Sequence, residues 1–268
     1  MPDWTLALDT PSEFLLALLL AGHVFSDFLV QTGKVAAGKR DKPSHLLLHG
    51  GLTLFTHLVL VLPFWNPAIG LGVFILSAAH TGIDAIKAAI ERRAGASLGL
   101  FLADQVVHVL LVVAVWVGLT QLAWGPAGTN LLTRIGIGSA SAMLIPFNPD
   151  WMPLAGTWIV VAAGLAFNGK GGTAVVRLVL ERFPEVVPRD PQGYKMGRTI
   201  GVLERLLLFI LVLLGQWGAL GLVLAAKSIA RFKELSAQPF ADYYLIGTLT
   251  SILVAITTAV VVRILVVG

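Results

Sequence analysis

Five of the six histidines, together with three aspartates, form four pairs with one spacing: His23/Asp27, His45/His49, His80/Asp84 and Asp104/His108. Residues four apart lie one turn removed on the same face of a helix. Each pair therefore presents two polar side chains to one side. Imidazole with carboxylate is the ligand set of zinc, iron and manganese sites. The same groups can relay protons, or act as helix–helix glue at about 1 kcal/mol per contact. Three aspartates close together in a low dielectric cannot all stay ionised unless they share protons or cations neutralise them.

The elements that must position these pairs are membrane spans. Apolar residues make up 56% of the 268 positions and charged residues 13%, about half the charge of a soluble domain. The mean hydropathy is +0.84. Lipid is the solvent that such a chain requires. Phe14–Thr32, His45–Trp65, Ala68–Ile90 and Leu98–Trp124 are each long enough to cross ~30 Å of hydrocarbon. The first is expected to be a retained anchor, because no basic region precedes it. Lys34, Lys39, Arg40 and Lys42 follow the first span, and Lys87, Arg92 and Arg93 close the third. Pro63–Pro67 is uncharged, and the N-terminal tail is acidic through Asp3, Asp9 and Glu13. The positive-inside rule then places the N-terminus outside and both basic loops in the cytoplasm. It also explains the net charge of +4 without a nucleic-acid partner.

The pairs agree in depth. Asp27, His49, Asp84 and Asp104 lie roughly 8–9 Å from the cytoplasmic ends of their helices, and His23, His80 and His108 lie ~14 Å in. The expected arrangement is a lower layer of three carboxylates with His49 and an upper layer of three imidazoles about 6 Å above it. His23-Asp27-(17 residues)-His45-His49 is mirrored by His80-Asp84-(19 residues)-Asp104-His108, so spans one and two read as a diverged copy of spans three and four. This is a parallel repeat about an axis along the membrane normal. Seven candidate ligands exceed what one tetrahedral ion needs and suffice for two metals, which helical bundles commonly build from inward carboxylates and histidines.

The rest of the chain is less regular. Leu131–Phe147 is short and contains Arg134, so it is expected to be re-entrant or to lie at the outer interface. A crossing is expected at 152–167 and a basic cytoplasmic loop near 168–198. Thr199–Leu214 and Trp217–Ile229 flank Gly215-Gln216 and are expected to form a hairpin of half-helices, which returns Lys227, Arg231 and Lys233 to the cytoplasm. Tyr243–Val266 is the last span. His45 is expected at the interface, and His57 as a hydrogen-bonded core residue. Gln31, Lys87 and Gln105 fall near the cytoplasmic mouth. Lys87 follows Asp84 by three residues and can pair with it, though ordinary positive-inside placement is the favoured explanation. Glu204-Arg205 reads as an internal ion pair, Lys227–Glu234 as an interfacial segment, and Gly193, Gly197 and Gly201 as a close-approach stripe. With no cysteine, thiolate ligands and a cysteine nucleophile are excluded. Gly169-Lys170-Gly171-Gly172 lacks the spacing of a P-loop.

Ala21-Gly22-His23-Val24-Phe25-Ser26-Asp27-Phe28-Leu29-Val30-Gln31 resembles the opening motif of a bacterial membrane family catalogued only as domain of unknown function 3307. So do His49, Ala79-His80-Thr81-Gly82-Ile83-Asp84-Ala85-Ile86-Lys87 and Phe101-Leu102-Ala103-Asp104-Gln105-Val106-Val107-His108. The stretch from Gly201 to Thr248 is similar to the C-terminal half of longer members. The resemblance implies an integral bacterial membrane protein and no particular activity. In style of site, the His/Asp-rich spans are similar to intramembrane metal hydrolases such as the ceramidase and adiponectin-receptor group, and to bacterial membrane-bound metal-dependent hydrolases. That is a likeness of site type alone.

The expectation is an all-α, polytopic transmembrane helix bundle of the bacterial inner membrane. Residues 1–125 form a pseudo-repeated four-helix core and 126–268 a C-terminal membrane region. The leading function is a metal-dependent hydrolase acting on a lipid or lipid-linked ester, amide or phosphoester from the cytoplasmic leaflet. The cofactor is a divalent transition metal, zinc before iron or manganese, mono- or dinuclear. His23, His80, His108, Asp84 and Asp104 would ligate, with Asp27 and His49 completing a second metal or acting as general base. Alternatives are a proton- or cation-coupled transporter or channel using the same Asp–His ladder, and a structural or regulatory subunit.

Overall fold

A computed structural model of the chain describes residues 8, 10–124, 148–184, 191–236 and 238–267, and among these there is no strand. The expected re-entrant segment 131–147 lies outside the described residues.

Helix starts follow local chemistry. The first helix, α1 (Pro11–Phe25), opens with Pro11 at its first position and a reciprocal cap: Glu13 N donates to Thr10 Oγ1 (3.2 Å) and Thr10 N to Glu13 Oε2 (3.1 Å). This satisfies two amides that the helix leaves unpaired. The helix continues through one widened turn, Ser26–Val30, closed by Gln31 N to Ser26 O at 3.0 Å. A short α2 (Gly33–Gly38) leads into α3 (Pro43–Val61). In α4 (Pro67–Ala94), Asn66 accepts from Ile69 N at 2.9 Å, and Gly95 with φ +80° ends the helix. A glycine is favoured there because an L side chain rarely adopts that φ. Three residues later α5 (Leu98–Trp124) begins, so α4 and α5 must be antiparallel.

These four long helices close a ring. α1 packs on α3 and α5, and α4 on α3 and α5. Glycines let the backbones approach. A Cβ on Gly50 of α3 would sit 2.3 Å from Thr81 Oγ1 of α4, and one on Gly22 of α1 would sit 2.6 Å from the His57 ring of α3. Polar side chains occupy the inside of this ring: His23, His49, His57, His80, Asp84, Asp104 and His108 are all buried. The outside is apolar, with Leu47, Phe55, Phe74, Leu102 and Leu110 exposed. A polar interior with an apolar exterior suits lipid and not water.

Among the described residues, six helices are long and apolar enough to cross a membrane: Pro11–Val30, Pro43–Phe64, Pro67–Ala94, Leu98–Gln121, Met152–Leu180 and Phe240–Val266. The chain is thus a multi-pass all-α membrane bundle. The fifth departs from expectation. α6 (Met152–Ala166) does not give way to a polar loop, but runs through a wide turn at Phe167–Gly171 into α7 (Gly172–Leu180). α8 (Pro191–Leu213) likewise starts inside the segment expected to be loop. Apolar residues between the charges, such as Val175, Leu178 and Leu180, are buried along α7, which a count of charges does not reveal.

The expected hairpin is present. α8 and α9 (Trp217–Ala230) are joined through Gly215 at φ +71°, and Lys227 Nζ donates to Glu204 Oε2. Glu204 lies nine positions from the end of α8 and Lys227 ten from the start of α9, the matched distances from the turn that antiparallel pairing demands. α10 (Gln238–Val267) completes the chain. Two compact units result, Met1–Ala163 with Val266–Gly268, and Gly164–Leu265. The boundary falls within α6 and not near residue 125, because the first half of that helix packs on α1: a Cβ on Gly156 would meet Leu8 and Phe14 within 3 Å.

Candidate metal centre

The ring brings all seven expected site residues together. Four polar atoms form a tight cage. His49 Nε2 lies 3.1 Å from His80 Nε2, 3.2 Å from Asp27 Oδ1 and 3.1 Å from Asp84 Oδ2. His80 Nε2 lies 3.3 Å from Asp27 Oδ1 and 3.6 Å from Asp84 Oδ2. A tetrahedral ion with bonds of ~2.0–2.1 Å holds its ligands roughly 3.3 Å apart. Five edges of this cage fall around that value. Hydrogen bonding alone does not account for it, since each Nε2 carries at most one proton and each faces two carboxylate oxygens and the other nitrogen.

Beside the cage are two further groups of donors. His23, Asp27 and His80 offer atoms within 4.8 Å of one another, as do Asp84, Asp104 and His108. The rings of His23, His80 and His108 are mutual neighbours, with centroids 5.5, 5.1 and 4.1 Å apart. This is the expected upper imidazole layer. The lower layer does not stay separate from it, because the side chains of His49, Asp27 and Asp84 reach up to His80. Asp27 and His49, expected to complete a second metal site or act as general base, stand in this tightest set with His80 and Asp84.

Several buried atoms have no hydrogen-bond partner: both ring nitrogens of His23, Nδ1 of His49 and Oδ1 of Asp104. Unpartnered buried polar atoms are costly, and here they border the donor clusters. The residues present fit a cation of the transition-metal class. His108 Nδ1 lies 2.9 Å from the Asp104 backbone carbonyl. Donation to that carbonyl leaves Nε2 as the lone-pair nitrogen, in the manner by which ligating histidines are usually oriented.

Residues 15–129 match the family described as Protein of unknown function (DUF3307). The match takes in the four ring helices and all seven cluster residues, as the motifs led one to expect. It ends before Gly201, so the similarity read for the C-terminal stretch lies outside it. No curated protein and no solved structure matches the chain.

Within the matched segment, the sequence left Lys39 unassigned and suggested another partner for Lys87. Lys39 Nζ bonds both oxygens of Asp84, at 3.0 and 2.9 Å. Lys87 Nζ bonds Asp104 Oδ2 at 2.7 Å, and Gln105 Nε2 adds a bond to the same oxygen at 3.0 Å. Lys87 thus does more than obey the positive-inside rule, and its partner is Asp104 on the next helix, not Asp84 on its own. The available signal was charge balance, since three buried aspartates call for nearby cations. Nothing local pointed to Lys39, 45 positions from Asp84.

The other two histidines stay outside the cluster. His57 is buried against Gly22, with its ring nitrogens 2.8 and 3.2 Å from the Thr53 and Leu19 carbonyls, as expected of a core residue. His45 is half-buried over Gly38.

Proposed function

We propose that the His/Asp cluster is a metal centre inside the membrane, and that the protein is a metal-dependent hydrolase. Its substrate would be a lipid or lipid-linked ester, amide or phosphoester, reached from the cytoplasmic leaflet of a bacterial inner membrane. The observation that carries this reading is the cage of His49, His80, Asp27 and Asp84, with edges of 3.1–3.6 Å. Zinc suits the tetrahedral donor set best, with iron or manganese as alternatives.

Asp84 belongs to both the cage and the group it forms with Asp104 and His108, so it would serve as a ligand in either set. The cage of four is a closed set. The group of three leaves a position for substrate, which is the distinction between structural and catalytic sites. An ion held there would supply Lewis-acid activation of water and of the scissile group. Where the cage holds no ion, Asp27 and His49 would instead be available to accept a proton, and Lys39 and Lys87 offset the charge of Asp84 and Asp104.

Elemental analysis of detergent-purified protein tests this. About one or two transition-metal equivalents are expected in the wild type, and loss of both in Asp84→Asn/Asp104→Asn. A folded wild type purified without chelator and free of metal would sink the reading.

A second reading has its own observation. The Lys39–Asp84 and Lys87–Asp104 pairs already neutralise two carboxylates, as a proton or cation path built on the Asp–His ladder would require. Flux through proteoliposomes that survives metal removal would favour it.

A further inference from the structure

Glu204 and Arg205 are neighbours in sequence but do not form the expected internal pair. Glu204 accepts from Lys227, while Arg205 turns inward and is only 2% exposed. Arg205 Nε donates to the Asn168 carbonyl at 2.9 Å, Nη1 to Ser251 Oγ at 3.2 Å and Nη2 to Thr173 Oγ1 at 2.7 Å. All three acceptors are neutral. Among the described residues, no carboxylate lies within ion-pair distance of Arg205. A guanidinium keeps its charge in proteins, so a buried cation without a counter-ion marks the place where an anion is missing.

Arg205 also lines a cavity of about 470 Å³, bounded by α7, α8, α9 and α10. That is the size of a small-molecule site. Arg177, Arg198, Lys227 and Arg231 stand around it beside Arg205, and Glu204, which Lys227 neutralises, is the one acid among the lining residues. Between these charges the wall is apolar, with Val176, Leu180, Ile200 and Phe240. Gly197 and Gly201, read from sequence as a close-approach stripe, line the cavity instead. A Cβ on either would come no nearer than 3.7 Å to its neighbours, so they leave space and do not bring helices together.

We propose that this cavity binds a phosphate-bearing amphiphile of net negative charge, with the Arg205 guanidinium as counter-charge to the phosphate and the apolar wall taking the chain. The planar fork of arginine matches phosphate oxygens. Ser251 Oγ accepts from Arg205, which leaves its own hydrogen to donate to the anion. Lys227 is taken up by Glu204 and Arg177 lies 3.7 Å from Glu181, and Arg198 beside Arg205 suits phosphate, with its multiple charged oxygens, better than a single carboxylate. The site is distinct from the metal centre and does not depend on it.

The test titrates the full-length protein in neutral detergent with dioleoyl-phosphatidylglycerol, dioleoyl-phosphatidylcholine or inorganic phosphate, and follows thermal unfolding by tryptophan fluorescence. A saturable rise in Tm is expected with phosphatidylglycerol and none with phosphatidylcholine. Arg205→Gln should raise the half-saturating concentration at least about tenfold, the loss of one charge-assisted contact, and Arg205→Lys should fall between. Gly247→Leu fills the cavity from α10, where a Cβ would lie 3.9 Å from Leu180. It should remove the response without touching Arg205, and it decides the matter if Arg205→Gln does not fold. A rise produced equally by inorganic phosphate would overturn the amphiphile and leave a free-anion site. A phosphatidylglycerol response unchanged in Arg205→Gln and Gly247→Leu, or absent in the wild type, would overturn the proposal whole.

Discussion

At the scale of the residue, His80 is the centre of the cluster. Its Nε2 lies within 3.6 Å of His49, Asp27 and Asp84, and it belongs to two of the three donor groups. If the cluster holds metal, His80→Ala should weaken binding by more than the ~10–100-fold typical of groups that only orient a ligand. His57→Ala should leave metal content unchanged. Competition with a chromophoric chelator measures both. Lys39 makes a separate prediction. Removing one partner of a buried ion pair strands the other charge at a cost of roughly 3–5 kcal/mol. Lys39 is 14% exposed and Asp84 1%, so the lower end applies. Lys39→Met should lower Tm in chelator, and added zinc should restore it by supplying the missing charge at Asp84. Equal Tm for wild type and Lys39→Met in chelator would mean that the pair does not neutralise the site.

At the scale of the element, close approach of α3 to α4 sets the cage. Gly50 follows His49 and Thr81 follows His80, and a Cβ on Gly50 would lie 2.3 Å from Thr81 Oγ1 and 3.3 Å from its Cβ. Gly50→Ala must push these helices apart or turn Thr81, with an overpacking cost of about 1–3 kcal/mol, and the His49–His80 contact should loosen with it. Gly51 is the control. A Cβ there meets nothing within 4 Å, so Gly51→Ala should be neutral or slightly stabilising, by up to ~1 kcal/mol. Thermal unfolding of the two variants side by side separates crowding from helix propensity. In the second unit, Gly215 holds φ +71° between α8 and α9. An L residue pays about 1–2 kcal/mol in that region, so Gly215→Ala should lower Tm through the hairpin alone and leave metal content intact.

At the scale of the whole molecule, high hydropathy does not bring burial. Leu98–Gln121 has a mean hydropathy of 2.2, yet only 22% of its window is buried. A soluble helix that apolar would sit in a core. Here its apolar surface faces outward and Asp104 and His108 face in, which requires a lipid surround. The chain should therefore stay with the membrane pellet after alkaline carbonate extraction, and release into the supernatant would contradict the six spans. Each polar centre is complete within one unit, the metal-type cluster in the first and the Arg205 cavity in the second. Arg205→Gln should accordingly retain full metal content.

The sequence by itself determined which residues are buried polar groups and on which helices they lie. The paired residues other than His45, which stands at a helix start, have no other stable place in apolar spans than the inside of a bundle, because an ionisable group facing lipid is too costly. The six spans followed from length and composition, and the hairpin at Gly215-Gln216 from the charge that would otherwise have been stranded. Tertiary structure alone decided who meets whom. Lys39 with Asp84, Lys87 with Asp104, His49 with His80 and Arg205 with Thr173 and Ser251 are contacts between helices, and they depend on the rotation and spacing of neighbours. Those are set by a few glycine contacts and by a wide turn at Ser26–Val30, neither of which alters the hydrophobic period that a sequence displays. For the same reason the polar stretch after residue 168 read as a loop. Of its cations, Arg177 and Arg198 come to line one cavity only once α7, α8, α9 and α10 are packed around it.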